Sequence, residues 1–260
     1  MLPGRLRSRW LNLIKRIFRS ETMKIRRSFI LWMHIFSAIV FPVLLGAYYG
    51  NRYPTVNLTQ VVINYYEFLS ILTPIAVSIV ICVIFDREQK AGNFKNVLSL
   101  PDSKVAIIQS QILYYWSLYA LVVLGSTGIY YILLKFMFGL PMPSFFSIIL
   151  TSIVFTLLAY VYYELAYLVI GLWGNGSGLI LGFFGSLLSI LSLTVLVDKA
   201  WAFIPWSWQI RLIGFWQPGV LQNTHMMFWY GSKYAVSVVL TMLMIIISSI
   251  YYKNWTGRRN

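Results

Sequence analysis

Acid–base, metal or nucleophilic chemistry needs titratable side chains held together, and this sequence has few to hold. It carries 7 Asp+Glu, 2 His and 1 Cys in 260 residues. One carboxylate, Glu164, falls well inside a long apolar run, near Tyr160, Tyr162, Tyr163 and Tyr167. A carboxylate in hydrocarbon is costly, and is usually paired or functional. Three roles stay open for it: a structural partner of a Tyr or a basic residue, a substrate or gating group, or a proton relay. Glu67 stands at the interfacial edge of another apolar run. His34 and His225 are far apart, and neither has a ligand partner at metal spacing. Cys82 alone makes no internal disulfide.

The motifs that would organise such chemistry are absent. No G-x-x-x-x-G-K-[ST] occurs. Gly174-Asn175-Gly176-Ser177-Gly178 is Gly-rich but lacks the Lys and the flanking strand, and reads as a turn between two apolar runs. No H-E-x-x-H occurs, and Gly182-Phe183-Phe184-Gly185-Ser186 does not match a nucleophile elbow. An intramembrane protease would need paired carboxylates, a Ser/His dyad or a metal site, and Glu164 supplies none of these. The chain is therefore expected not to be an enzyme, with no catalytic, cofactor-binding or metal-binding residue of its own.

The composition explains this poverty. The chain is 59% hydrophobic and 11% charged, with a mean hydropathy of +0.72. Soluble domains sit near 25% charged, and disorder needs low hydrophobicity. What remains is an all-α membrane protein. About 20 apolar residues span the hydrocarbon core, and six such stretches appear: 29–49, 66–85, 105–134, 145–173, 179–197 and 234–252. The third and fourth are long enough to tilt or to extend past the membrane. An even number of spans puts both termini on one side. That side carries nine basic residues in 1–28, four in 86–104 and three after residue 252, against five opposite: Arg52, Lys135, Lys199, Arg211 and Lys233. The positive-inside rule makes both termini cytoplasmic. The net charge of +14 thus reads as topology, and no nucleic-acid partner is expected.

Three segments outside the spans carry more information. In 1–28, Leu6, Trp10, Leu13, Ile14, Ile17 and Phe18 recur at helical spacing between Arg and Lys residues. That pattern is a basic amphipathic helix lying on the lipid surface. It serves as a topological anchor, as an elbow touching a partner subunit, or as both. Loop 86–104 holds seven charged residues, ends at Pro101, and carries Phe94, Val97, Leu98 and Leu100 as a short apolar stripe. It suits docking into a groove of a soluble partner, or is a solvated connector. Segment 198–233 contains nine aromatics, with Trp201, Trp206, Trp208, Trp216 and Trp229 among them, divided by Pro205 and Pro218. Short amphipathic or re-entrant helices at the outer interface are expected there. They form an aromatic belt that sets depth, or an amphiphile-binding surface.

The order of these parts resembles the permease subunit of ABC-2-type transporters. More narrowly, it is similar to the lantibiotic-immunity permeases of Gram-positive bacteria, of the nisin or epidermin type. The stretches that carry the resemblance are Glu21-Thr22-Met23-Lys24-Ile25-Arg26-Arg27-Ser28-Phe29 and Asp86-Arg87-Glu88-Gln89-Lys90-Ala91-Gly92-Asn93-Phe94-Lys95-Asn96-Val97-Leu98. The resemblance implies an elbow helix at 1–28, an ABC-2 transmembrane domain at 29–252 and a cytoplasmic tail at 253–260. It implies a cytoplasmic ATPase dimer that binds the ATP and Mg, and a second permease subunit, often a different chain. Loop 86–104 would couple to the ATPase through Glu88, Lys90, Ala91, Gly92, Phe94, Lys95 and Leu98. The cargo would be an amphipathic antimicrobial peptide taken from the plasma membrane, with the Trp-rich segment as a contact for peptide or lipid. Other cargoes remain open, such as a drug, another bacteriocin or a lipid-linked molecule. So does a scaffold or sensor without transport.

Overall fold

The structure is a computed structural model. It describes residues 4–26, 28–100, 102–216 and 223–257, the side chains of residues 4–9 and of Asn96 excepted. The expected break at Pro101, the divider Pro218, and Arg27, Arg258 and Arg259 of the charge count lie outside the described residues, as do the side chains of Leu6, Arg5, Arg7 and Arg9.

The described residues form helices and turns, without strands. The helices are α1 (Gly4–Ile25), α2 (Phe29–Gly50), α3 (Leu58–Lys90), α4 (Lys95–Leu98), α5 (Lys104–Ile132), α6 (Phe145–Leu158), α7 (Tyr160–Trp173), α8 (Asn175–Leu191), α9 (Trp208–Leu212) and α10 (Thr224–Lys253). Helices are what a membrane solvent demands, because each backbone N–H must find its acceptor inside the segment. Five helices are long and apolar enough to cross: α2, α3, α5 with the π turn Leu133–Met137, α6 with α7, and α10.

Several boundaries differ from those read along the chain. Helix α3 runs 33 residues, so Asp86–Lys90, expected in the loop, continue it. The helix also begins at Leu58, so Glu67 lies about two and a half turns inside it. The stretch expected to span 179–197 is a 17-residue helix at Asn175–Leu191, about 26 Å long at 1.5 Å per residue. The expected turn at 174–178 shrinks to one residue. Gly174 takes φ +93°, and Asn175 already starts α8. Only glycine adopts that conformation without strain. Residues 224–233 belong to α10, so Trp229 is helical rather than part of an outer loop.

Helices α3 and α8 make the most extensive contact in the bundle. Glycines let them approach. A Cβ on Gly182 would fall 2.6 Å from Ser78 Cβ and 3.0 Å from Ile75 Cα. One on Gly185 would fall 2.9 Å from Pro74 Cβ. Small residues at a crossing are how helices pack where lipid removes the hydrophobic incentive. Gly182 and Gly185 thus have a packing role.

Gly182→Val is expected to overpack this crossing and cost about 1–3 kcal/mol. The readout is the thermal unfolding midpoint in detergent. Gly176→Ala, where an added Cβ meets open space, serves as the neutral control.

Candidate functional site

The apolar face of α1 repeats every fourth residue at Leu13, Ile17 and Ile25, all buried. Glu21 occupies the remaining position of that stripe and is 1% exposed. Its Oε1 accepts from Lys24 Nζ at 2.8 Å and from Gln111 Nε2 at 3.1 Å. Its Oε2 accepts from Arg87 Nη2 at 2.8 Å and from Tyr115 OH at 2.6 Å. Lys24 Nζ also reaches Glu88 Oε1 at 2.7 Å. One carboxylate thereby ties α1 to the end of α3 and to α5. Lower on α1, Arg16 pairs with Asp102 just before α5.

Burial by itself raises the Glu21 carboxyl. Lys24, Tyr115 and Arg87 overcome that effect and hold it below the ordinary carboxylate value. The bonds favour the charged form, so their stabilisation is present while the group is ionised.

The chain then turns at 91–94 beside this cluster. Gly92, Asn93 and Phe94 take φ of +115°, +51° and +63°. An aromatic side chain in the left-handed region costs about 1–3 kcal/mol. Packing offsets it: Phe94 is 3% exposed and stands edge-on to Phe85 at 5.6 Å and to Trp255 at 4.9 Å. Trp255 follows α10 and accepts Lys104 Nζ through its carbonyl at 2.8 Å. The ends of α3 and α10 and the start of α5 therefore meet around one aromatic side chain.

These facts correct the expected apolar stripe. Phe94, Val97 and Glu88 are buried and do not offer a surface to a partner. Leu98 and Gly92 are half-buried. The outward face is polar and basic, with Lys90, Ala91, Asn93, Lys95 and Ser99 exposed. Between charged ends, a residue in a strained turn stays put only if its side chain is anchored inward.

At the opposite end, the Trp-rich segment is inserted, as a re-entrant piece would be. Helix α9 packs between α3 and α6. Gln209 is 0% exposed and donates to Phe155 O at 2.9 Å and to Tyr119 OH at 3.1 Å. Phe155 O is free because Ala159 N–H turns to Thr156 O at 3.2 Å, which separates α6 from α7. Trp116 Nε1 donates to Thr156 O at 2.8 Å. Two side chains inserted into the hydrogen-bond ladder thus explain a break that no proline causes.

Burial also corrects the expected contact surface. Trp201 and Trp208 are 0% exposed. Trp208 Nε1 donates to Ala202 O at 3.0 Å, and Trp201 packs against Trp229, Tyr230 and Tyr234. Trp206 presses on Gly185, and Trp216 Nε1 donates to Thr151 Oγ1 at 3.2 Å. These rings lock the segment to α6, α8 and α10; Trp208 and Trp216 engage their Nε1, while Trp201 Nε1 is buried without a partner among the described residues. Exposed apolar groups at this end include Leu193, Val195, Leu196, Phe203, Met226, Met227 and Phe228.

Glu164 is 0% exposed on α7. Gln109 Nε2 reaches its Oε2 at 3.3 Å, and Tyr160 OH donates to Gln109 Oε1 at 3.3 Å. Ser248 of α10 and Tyr160 also lie within bonding reach of this carboxyl, although Ser248 Oγ and Glu164 Oε1 do not meet strict hydrogen-bond geometry. No basic residue pairs with it among the described residues, so its contacts tie α5 to α7 through an amide.

A family model described as ABC-2 family transporter protein matches residues 17–189. That is about two thirds of the chain, from the buried face of α1 to the end of α8. The chain belongs to the ABC-2 transporter family. It is a membrane-embedded transport component of the kind that partners an ABC ATPase, not the ATPase itself. No curated protein and no solved structure matches the chain.

Apart from Glu88, the members of the Glu21 cluster are absent from the residues read as functional along the chain. One signal does stand in the sequence: an acid at the fourth-residue position of an apolar helix stripe. Removing it leaves Arg87 and Lys24 without their partner, and Glu21→Ala is expected to cost about 3–5 kcal/mol, read from thermal unfolding. The acid limb carries the sign. A depressed carboxyl stabilises the fold above its unfolded value, about 4.3 for Glu, and loses that effect as pH falls through the lower folded value. Stability is therefore expected to fall below about pH 4 in the parent protein, and Glu21→Gln is expected to flatten that fall.

Proposed function

We propose that this chain is the permease subunit of an ATP-driven exporter that lifts a lantibiotic, an amphipathic antimicrobial peptide, out of the plasma membrane of a Gram-positive producer. In this reading the chain makes six crossings. Helix α8 is the fifth, completed by the inserted segment after it. Both termini, the Glu21 cluster and the turn at 91–94 face the cytoplasm, on the side that holds 16 of the 21 basic residues. Helix α1 lies as an elbow along the inner leaflet.

The observation that carries the reading is the position of the turn. Its exposed Lys90, Ala91, Asn93 and Lys95 stand at the tip of α3, and its inward Phe94 touches the residues that close α10 and α3. A push on the turn reaches α3 and α10 through Phe94 and Trp255. It reaches α1 and α5 through Glu21. Closure of an ATPase dimer, which holds the ATP and Mg, supplies such a push to a packed and therefore non-compliant joint. The basic outward face calls for an acidic groove on the ATPase. A second permease subunit, of the same or another sequence, completes the pathway.

The peptide cargo rests on the resemblance of the stretches Glu21–Phe29 and Asp86–Leu98. The exposed Val195, Leu196, Phe203 and Phe228 suit release of an amphipathic peptide at the outer face.

Deleting the gene and challenging cells with a panel of lantibiotics tests the cargo; unchanged sensitivity to all of them would sink the peptide reading. Coupling is tested by Lys90→Glu with Lys95→Glu. This pair is expected to abolish co-purification with the ATPase while leaving the unfolding midpoint within about 0.5 kcal/mol of the parent. Reporter tags on both termini check the topology, and an external C-terminus would refute six crossings.

A further inference from the structure

Helix α2 packs along α5 and touches α3 lightly. The splay leaves a groove of about 180 Å³ between the three helices. Its floor is Val77, Val80, Tyr119 and Val123, all buried, and its mouth is Phe36 and Leu72, 63% and 48% exposed. The mouth lies on membrane-spanning helices, so it opens sideways into the bilayer and whatever enters comes from lipid.

Several polar groups of the floor are engaged within the bundle, while the hydroxyls of Ser37 and Tyr163 also line the groove. Gln209 Nε2 donates to Tyr119 OH, and Tyr119 shares a 3.0 Å bond with Thr73 Oγ1, which donates to Leu69 O at 2.7 Å. Ser126 Oγ pairs with Tyr65 OH at 2.8 Å. A hydrocarbon chain can lie on the Val77, Val80 and Val123 side of this floor without stranding these bonded groups. His34 adds a polar atom near one end. His34 Nδ1 meets Ile30 O at 2.7 Å. A carbonyl only accepts, so Nδ1 carries the proton and Nε2 of the neutral ring is an acceptor. Nε2 has no protein partner among the described residues.

The groove is also graded along the membrane normal. His34 is five residues past the start of α2, a rise of about 7.5 Å, close to where headgroups give way to hydrocarbon. Phe41 and Leu69 close the other end near the midplane. We infer that the α2–α3–α5 groove binds a phospholipid of the cytoplasmic leaflet, one acyl chain along the floor and a hydrogen-bond-donating headgroup on His34 Nε2. The site rests on the orientation proposed above. It also adjoins the inserted segment: the floor hydroxyl of Tyr119 receives Gln209, so an occupied groove buttresses that segment.

The test uses the full chain in nanodiscs containing phosphatidylethanolamine with a diazirine in its acyl chain, with adducts mapped by mass spectrometry. Adducts on Ala76 and Val122 are expected to saturate as the probe fraction rises. Those on the lipid-facing Met242 and Ile246 of α10 are expected to rise in proportion. Ala76→Trp is expected to abolish the groove adducts and leave the α10 adducts unchanged; if that variant does not fold, Val122→Phe replaces it. His34→Phe is expected to lower phosphatidylethanolamine labelling about threefold, the weight of one hydrogen bond. Labelling by phosphatidylcholine, whose head has no N–H, should not respond. Non-saturating groove adducts, or adducts that survive a folded Ala76→Trp or Val122→Phe, overturn the site. Equal loss for both probes overturns the His34 contact. No ATPase or cargo enters the assay, so its failure is separate from failure of the exporter reading, and the terminal tags report orientation independently.

Discussion

Burying a carboxylate away from water is tolerable only when its oxygens are filled by donors and its charge is met by cations. Glu21 meets both conditions with four side chains from three helices. Much of the architecture at that end follows. Helix α1 is held against α5, Arg87 at the end of α3 is fixed in place, and the turn that follows starts from a defined position. The cluster is both ionic and densely bonded, so its members hold one another in a single arrangement.

The opposite end solves the same problem with neutral groups. A break at Ala159 frees backbone carbonyls inside the bundle, and Gln209 and Trp116 fill them. The inserted aromatic segment is therefore not an ornament on the outer surface. It is part of how the fourth apolar stretch stays satisfied while bent. Tyr119 receives the same Gln209, which links the broken helix to the floor of the lateral groove. Polar bonds at one end, small-residue packing of α8 on α3 in the middle, and an amide–hydroxyl chain at the other end divide the bundle into stiff and yielding parts.

Much of the outline is legible in the residues. Five of the six apolar stretches appear as helices long enough to cross, the fifth in order being the shorter α8, and the first helix and the irregular aromatic segment lie close to where periodicity and hydropathy put them. The errors have physical causes. Hydropathy stops where charges start, so Asp86–Lys90 look like loop although their backbone continues a helix whose charges are paired. Gly174–Gly178 looks like a turn because glycine is counted by type. Only Gly174 takes a left-handed conformation, and later glycines of α8 are there for close approach. Trp residues suggest an interface by their usual habitat, yet Trp201 and Trp208 are drawn inside by packing against α10 and by a carbonyl partner.

By itself, the sequence determined the class: a basic, multi-span helical membrane protein. That information is local and additive, since hydropathy and charge sum along a stretch whatever its neighbours do. Only the tertiary structure decided which polar side chains meet. Glu21 bonds Tyr115 across 94 residues, and Lys24 bonds Glu88 across 64. Gln209 finds Tyr119 across 90. Such pairings depend on how helices cross, and a crossing is set by side-chain shape at the contact rather than by any sum along the chain.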